Sequence, residues 1–463
     1  VLTTGCASAD TPEMSEVRLS EIIAALSHAL DLTEGQPPGH AERTCALGMR
    51  LASDTGLPVE QRSALFYALL LKDAGCSSSS ARMAMLFGSD DIELKRLGKV
   101  VDWQRPVEAL RFTAANIARG EPRLVRARRF LQVAPRLKSE AGEIVNARCD
   151  RGAQIVLRLA FPAEAASAVR SLDEQWNGKG QPDGLAGEEI PQLARIASLA
   201  QAAEVFFVRD GLAAARKMVE RRRGAWFEPA IADALLAIGD DDPLWAELSA
   251  DQVDLDRIGP VADPVLDADD GRIDDVAIAF ADVIDAKSEW TAQHSVSVAR
   301  YAVALGEQFG FRPERLRDLR RMGLLHDIGK LAIPNTVLDK PGRLTEAEFE
   351  VIKRHPAHTE EILSRVAMFS PLASIAAAHH ERIDGRGYHR GIEIGTLPLD
   401  ARILAAADVF DALSSARPYR DEMPATDALA IMRADVGAHL CPMAFAALEH
   451  ALADGLEPLA VAA

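Results

Sequence analysis

The stretch GLLHDIG, Gly323–Gly329, has an echo 254 residues earlier in LLLKDAG, Leu69–Gly75. At the same offset DAKSEWTAQH, ending at His294, lies over DLTEGQPPGH, ending at His40. Further along, the offset is 207. There HTEEILSR repeats RGAQIVLR, HHERIDGRGYHRG (His379–Gly391) repeats LDEQWNGKGQPDG (Leu172–Gly184), and GTLPLDARILAAAD repeats EEIPQLARIASLAQ. A last pair, GAWFEP at Gly224 and GAHLCP at Gly437, stands at 213. Blocks in one order with a few length changes indicate that a unit of about 200 residues has been duplicated.

Both copies read as helical. SVSVARYAVALGEQFG has apolar residues at helical spacing and ends near Gly310. RPERLRDLRRMGLLHDIGKL reads as a second helix. In LTEAEFEVIKRHPAHTEEILSRV, Thr345 and Glu348 have the spacing of a capping box. SPLASIAAAHHE and LDARILAAADVFDALS add two more helices. Alanine and leucine are abundant, and aromatic residues make up only 5% of the 463, which favours helices over sheets. The expected fold is all-α: two tandem helical bundles joined by an acidic linker containing Pro and Gly. Residues 1–15 are expected to be a flexible tail, 16–250 the first bundle, 251–270 the linker and 271–463 the second bundle.

A net charge of −17 argues against broad binding to nucleic-acid polymers, while a local arginine cluster still suits a small anion. Cys6, Cys45, Cys76, Cys149 and Cys441 form no CxxC pair, and with no apolar run long enough to span a bilayer the expectation is a cytoplasmic chain.

Nine of the eleven histidines lie at or after His294. Four groups stand out: His294, the pair His326-Asp327, His355, and the pair His379-His380, joined by Asp408 from the last core helix. A lone helical histidine is more often structural, and His358, His439 and His450 are assigned to that class. Imidazole and carboxylate together suit zinc, iron, manganese or nickel better than calcium. Seven such ligands exceed one tetrahedral site and fit two metal ions.

HDIGKLAIPNTVLDKPGRLTEAEFEVIKRHP, HHERIDGRGYHRG and ADVFDALSSARPYR resemble the HD-GYP family of HD-domain metal-dependent phosphohydrolases, over about Asp275–Leu452. The resemblance implies a helical bundle that hydrolyses cyclic di-GMP to pGpG or GMP by binuclear activation of a bridging water, with iron or manganese as the metals. It implies His294, His326, Asp327, His355, His379, His380 and Asp408 as ligands, with Asp327 the bridge. Three-metal members carry a glutamate four residues before the first histidine. Trp290 stands there, so two metals are expected. Lys330 lies one turn beyond His326 if the helix continues, and resembles the lysine that contacts the scissile phosphate. Arg417 and Arg420 resemble arginines that grip phosphate. Tyr388 is placed to stack on a base or line the pocket; Asp384 and Gly385 shape the turn. The family's Gly-Tyr-Pro is here Gly387-Tyr388-His389, and His389 is read as a tuning change, not a ligand. Alternatives from other classes are a phosphohydrolase of another nucleotide or phosphoester, a di-iron oxygenase and a signalling scaffold.

In the first copy only His40 and Asp73 match ligands. Lys72 stands for His326, Arg148 for His355, Leu172 and Asp173 for the histidine pair, Gln201 for Asp408 and Cys76 for Lys330. Two of seven ligands cannot build a binuclear site, so the first copy is expected to be inactive, with a shortened counterpart of the RPYR loop. Its expected roles are homodimerisation, binding of a regulatory protein partner or regulation of the second copy.

Overall fold

The computed structural model describes residues 19–250, 253–258, 270–288, 290–291, 293–392, 395–415 and 422–457. Among these residues all regular structure is helical, and β-pairing is confined to isolated bridges. Thus the chain is an all-α protein.

The first copy comprises α1 (Leu19–Thr33), α2 (His40–Asp54), α3 (Val59–Leu71), α4 (Ser80–Phe87), α5 (Asp91–Gly98), α6 (Pro106–Asn116), α7 (Arg123–Val133), α8 (Leu137–Arg158), α9 (Ala163–Arg170), α10 (Gln192–Asp210), α11 (Leu212–Arg222), α12 (Pro229–Ala237) and α13 (Pro243–Leu248). A single turn, α14 (Leu255–Ile258), packs on α2 within the stretch read as linker. The second copy comprises α15 (Asp270–Asp285), α16 (His294–Gln308), α17 (Pro313–Leu325), α18 (Asn335–Leu338), α19 (Glu346–Ile352), α20 (His355–Ser364), α21 (Ser370–Ala376), α22 (Leu399–Ser414), α23 (Ala425–Ala434) and α24 (Pro442–Ala453).

The helices obey the sequence offsets. Shifted by 254, α2 and α3 coincide end to end with α16 and α17. Shifted by 207, α9 and α10 start where α21 and α22 start, and at 213 the starts of α11 and α12 fall on those of α23 and α24. The reason is visible in the apolar stripes. His40, Thr44, Leu47 and Leu51 are buried on α2, as His294, Val298, Tyr301 and Leu305 are on α16. This i, i+4, i+7, i+11 spacing keeps one helix face toward the core, and each histidine occupies the first position of its stripe. A carboxylate one helix earlier fixes each start: Asp31 accepts the Ala41 N–H at 3.1 Å, and Asp285 accepts from the N–H and the hydroxyl of Ser295.

Three expectations change locally. The α17 helix ends at Leu325, and a 3-10 turn over Ile328–Ala332 follows, so Lys330 does not extend an α-helical face. The segment expected as one helix from Thr345 breaks into α19 and α20 at Lys353-Arg354, just before Pro356. A proline cannot donate to the preceding turn. The capping box of Thr345 and Glu348 does form. The His379-His380 pair follows the end of α21 instead of lying within it.

One apolar cluster runs through both copies, from Leu19 to Ala451. The first helix contributes to it directly: α1 packs against α20 and the 3-10 turn of the second copy. The first copy is also 47 residues longer between its KDAG and RGAQIVLR blocks, as the fall in offset from 254 to 207 requires, and part of the excess lengthens α8 at its start. The rest forms most of α4–α7. No helix among the described residues is long and apolar enough to cross a membrane. Cys45, Cys76, Cys149 and Cys441 are buried and free.

Candidate metal centre

The histidines converge because helix ends place their backbones. His294 opens α16, His326 and Asp327 follow the end of α17, and His355 opens α20. Three imidazoles are then aimed alike. Nδ1–H of His326 donates to the Gly323 carbonyl at 2.8 Å, that of His355 to Ile352 at 2.7 Å, and that of His379 to Ala376 at 2.7 Å. A carbonyl only accepts, so Nδ1 carries the proton and Nε2 is left as a lone pair facing inward. His294 is oriented by a side chain, with Nδ1 lying 2.6 Å from Asp411 Oδ2.

Asp327 stands between two sets of histidines. Its Oδ2 lies 3.3 Å from His294 Nε2 and 3.2 Å from His326 Nε2, whereas Oδ1 lies 3.4 Å from His355 Nε2 and 3.7 Å from His379 Nε2. Asp408 presents Oδ1 to His294 at 3.3 Å and Oδ2 to His380 Nδ1 at 3.9 Å. The potential ligand atoms of His294, His326 and Asp327 lie within 4.8 Å of one another, as do those of His355, His379 and His380 and those of His326, His379 and Asp408. All seven residues singled out in the sequence therefore meet in one place.

The donor set fits metal ions on grounds of its own. Nε2 of His294 and of His326 and Oδ1 of Asp327 are buried without a hydrogen-bond partner, a costly state for polar atoms unless a ligand completes them. The Nε2 lone pairs of His355 and His379 face each other at 3.2 Å and require a cation between or beside them. A proton is a poor candidate, because burial pushes the two imidazoles down to about 3 and about 4. His380 is also held well below its ordinary value, first by burial and then by the charges of its neighbours. Asp327 and Asp408 stay ionised despite burial: His326 and Lys330 hold Asp327 far below the usual range, and His294, His380 and His326 do the same for Asp408. Burial alone would lower His294, but Asp327, Asp408 and Asp411 raise it well above its ordinary value.

Lys330 reaches the centre from the 3-10 turn, with Nζ 2.5 Å from Asp327 Oδ2. The Tyr388 ring is half-buried, its centroid 4.8 Å from that of His380 and 6.2 Å from that of Phe349. His389 sits outside the metal-ligand groups, with Nε2 3.1 Å from Glu360. Trp290 is exposed. Arg417 and Arg420 lie outside the described residues.

Two working residues escaped the sequence reading. Asp411 is one; its signal was the DxxD spacing of Asp408 and Asp411 and the acidic Glu204 at the matching position of the first copy. There His40 Nδ1 lies 2.5 Å from Glu204, so the orienting carboxylate outlived the ligands. Glu381 is the other. It accepts the N–H groups of Arg390 at 2.8 Å, Gly391 at 3.2 Å and Ile392 at 3.0 Å, closing the turn after the histidine pair. Glu174 does the same for Asp183 and Gly184. The second glycine of each turn is equally fixed: a Cβ on Gly387 would lie 2.4 Å from Glu381 Cα, and one on Gly180 would lie 2.2 Å from Gln175 N. Asp384 bonds to Arg382 and to the Arg386 N–H within the same turn. Replacing Asp411 with asparagine is expected to weaken metal binding about 10- to 100-fold while leaving the helical circular dichroism unchanged; titration of the apo chain with Mn²⁺ measures it.

The matching pocket of the first copy is filled. Lys72 Nζ contacts Asp73 Oδ2, Lys99 Nζ lies 3.2 Å from Asp73 Oδ1, and Arg148 pairs with Asp173. Lys99 comes from just past α5, in the extra segment, and had no counterpart to reveal it. Gln104 from the same segment bonds Gln175 beside the turn. The acids Glu34 and Asp73 thus meet ammonium groups where the second copy gathers imidazoles. The shortened loop is also present: only Gly211 separates α10 from α11, whereas ten positions separate α22 from α23.

The fold and this centre define a helical protein with a buried histidine–aspartate set suited to metal ions. A family model described as "HD domain" matches residues 130–230 and 279–442, one segment in each copy, and the chain belongs to the HD-domain family, in its HD-GYP branch. It is 39% identical to the 3′3′-cGAMP-specific phosphodiesterase 3 of Vibrio cholerae over 94% of each chain. A cyclic di-GMP phosphodiesterase response regulator of Xanthomonas campestris, RpfG, is 43% identical over 34% of this chain and 42% of its own. The crystal structure of a cyclic GMP-AMP-specific phosphodiesterase of V. cholerae superposes with a TM-score of 0.63 at 35% identity, covering 95% of this chain and 99% of that one.

Proposed function

We propose that the second copy is a metal-dependent phosphodiesterase that opens a 3′,3′-linked cyclic dinucleotide. The observation that carries this reading is the Asp327 carboxylate, whose two oxygens face two separate sets of histidines. His294, His326, Asp327 and Asp408 would hold one divalent ion, and Asp327, His355, His379 and His380 the second, with iron or manganese suited to the donors. Bound there, two such ions supply Lewis-acid stabilisation of phosphoryl oxygens and an acidified water.

The chain's own residues do the rest. Lys330 places a cation at the rim of the centre, where it would meet a non-bridging phosphate oxygen. Tyr388 offers a ring wall for a nucleobase. Arg417 and Arg420 would grip the second phosphate. The lysine at the centre favours a phosphate substrate over dioxygen chemistry. The first copy, its pocket closed by Lys72, Lys99 and Arg148, is read as a non-catalytic partner of the second.

The resemblance to HD-GYP proteins suggests cyclic di-GMP. A relative that spans nearly the whole chain is named for 3′3′-cGAMP, which makes cyclic GMP-AMP the first substrate to test. The chain loaded with Mn²⁺ or Fe²⁺ is expected to linearise 3′3′-cGAMP, with cyclic di-GMP as the competing substrate and bis-p-nitrophenyl phosphate as a generic control. Two metal ions per chain are expected. Hydrolysis of neither dinucleotide by a chain that has bound metal would overturn the reading.

A further inference from the structure

A line of buried charges runs from the first copy's closed pocket to the loop that carries Lys330. It starts at Asp73, 3.2 Å from Lys99. Lys99 lies 3.0 Å from Glu34, and Glu34 lies 4.0 Å from Lys95. Lys95 lies 3.6 Å from Asp91, and Asp91 Oδ2 lies 3.4 Å from Lys287 Nζ in the second copy. Asp91, Lys95 and Lys99 recur every fourth residue, so one face of α5 and the residue just past its end carry all three. Signs alternate along the whole line, and each charge has an opposite neighbour.

Asp91 is where the line crosses between copies. It is fully buried, and its Oδ1 accepts the backbone N–H of Asn335 at 2.7 Å. Asn335 opens α18, which has no side-chain cap of its own. The Asn335 amide then donates to the Lys287 carbonyl and to Asp339 Oδ2, both at 2.6 Å. Thus a carboxylate of the first copy ties down the chain five residues past Lys330 and, through Lys287, the loop that leads to His294. A buried carboxylate with an ammonium and an amide partner is held firmly, because releasing it would leave a charge unpaired in the interior.

We propose that Asp91 is a positioning residue for the second copy's chemistry: the inactive copy supplies the carboxylate that fixes the Lys330–Asn335 segment against the metal centre. This rests on the phosphodiesterase reading above. It also gives the closed pocket a use, since Lys99, Glu34 and Lys95 hold α5 and so hold Asp91.

The test uses the full chain, metal-loaded. Asp91→Ala is expected to lower kcat on the cyclic dinucleotide turned over by the parent about tenfold, with KM within about twofold and bound metal unchanged. Asp91→Asn, whose amide oxygen can still accept the Asn335 N–H, is expected to recover most of that loss. Amide exchange is expected to quicken over residues 330–338 in Asp91→Ala and not in α16 or α22. Should Asp91→Ala fail to fold, the double variant Asp91→Leu with Lys287→Met removes both buried charges together and is expected to show the same two changes. Parental kcat, or parental exchange over 330–338, in a folded variant overturns the proposal. A parent that turns over no cyclic dinucleotide overturns the phosphodiesterase reading instead, and the exchange measurement still decides whether Asp91 anchors the segment.

Discussion

Asp327→Ala is expected to strip the centre of metal and to lower turnover by at least about a thousandfold, the scale on which loss of an essential catalytic group acts. The carboxylate faces both histidine sets at shorter range than Asp408 does, 3.2–3.7 Å from four imidazole nitrogens. Without it only Asp408 spans the two sets, at up to 3.9 Å, and Lys330 loses the carboxylate that offsets its charge. The matched substitution in the first copy, Asp73→Ala, is expected to behave in the opposite way. Its partners are Lys72 and Lys99, so removing it leaves two buried ammonium groups with one acid fewer. That costs about 3–5 kcal/mol of stability with metal stoichiometry unchanged. Metal analysis, single-turnover kinetics and denaturant melts on the two variants separate the cases. Metal lost from Asp73→Ala, or parental metal in Asp327→Ala, would contradict the asymmetry between the copies.

Gly329→Ala is expected to be nearly as damaging by a steric route. The 3-10 turn after His326 lies directly on α20, and a Cβ at Gly329 would fall 1.9 Å from the His355 carbonyl oxygen and 2.7 Å from the Thr359 nitrogen. Both obstacles are backbone, so neither can turn aside. The turn and α20 must separate, and they carry Asp327 and His355. A loss of about 3 kcal/mol and of most activity should follow. Gly75 repeats the contact in the first copy, where a Cβ would meet the Arg148 carbonyl at 1.9 Å. Gly75→Ala is expected to lower the unfolding midpoint comparably and to keep the metal, which thermal melts with metal analysis will read.

The turn after the histidine pair shows how legibility divides. Its glycines and its echo at Leu172 were visible in the sequence, and they report the folding of a loop around Glu381 or Glu174. The histidine pair itself reports chemistry, because nothing in that loop needs imidazole. The helix through Lys330 was misjudged because periodicity alone does not reveal that Gly329 must pass so close to His355. Asp411 was missed because an aspartate one turn from a ligand looks like a solvated face until the fold buries it against His294.

The duplication, the helical class and the histidine groups that the fold gathers around Asp327 and Asp408 were legible in the chain. Each of these is written in side-chain type and local spacing, and a helix turns such spacing into a face without outside help. How those residues are held, and how the first copy's pocket is closed, follows from packing between distant segments. The Nε2 orientation of His294 depends on Asp411, 117 residues away. The closure of the first pocket depends on Lys99, brought there by a segment with no counterpart, and the Lys330 loop rests on Asp91, 244 residues from Asn335. A buried charge is satisfied by whatever the packing brings within reach, and that pairing leaves no period in the chain.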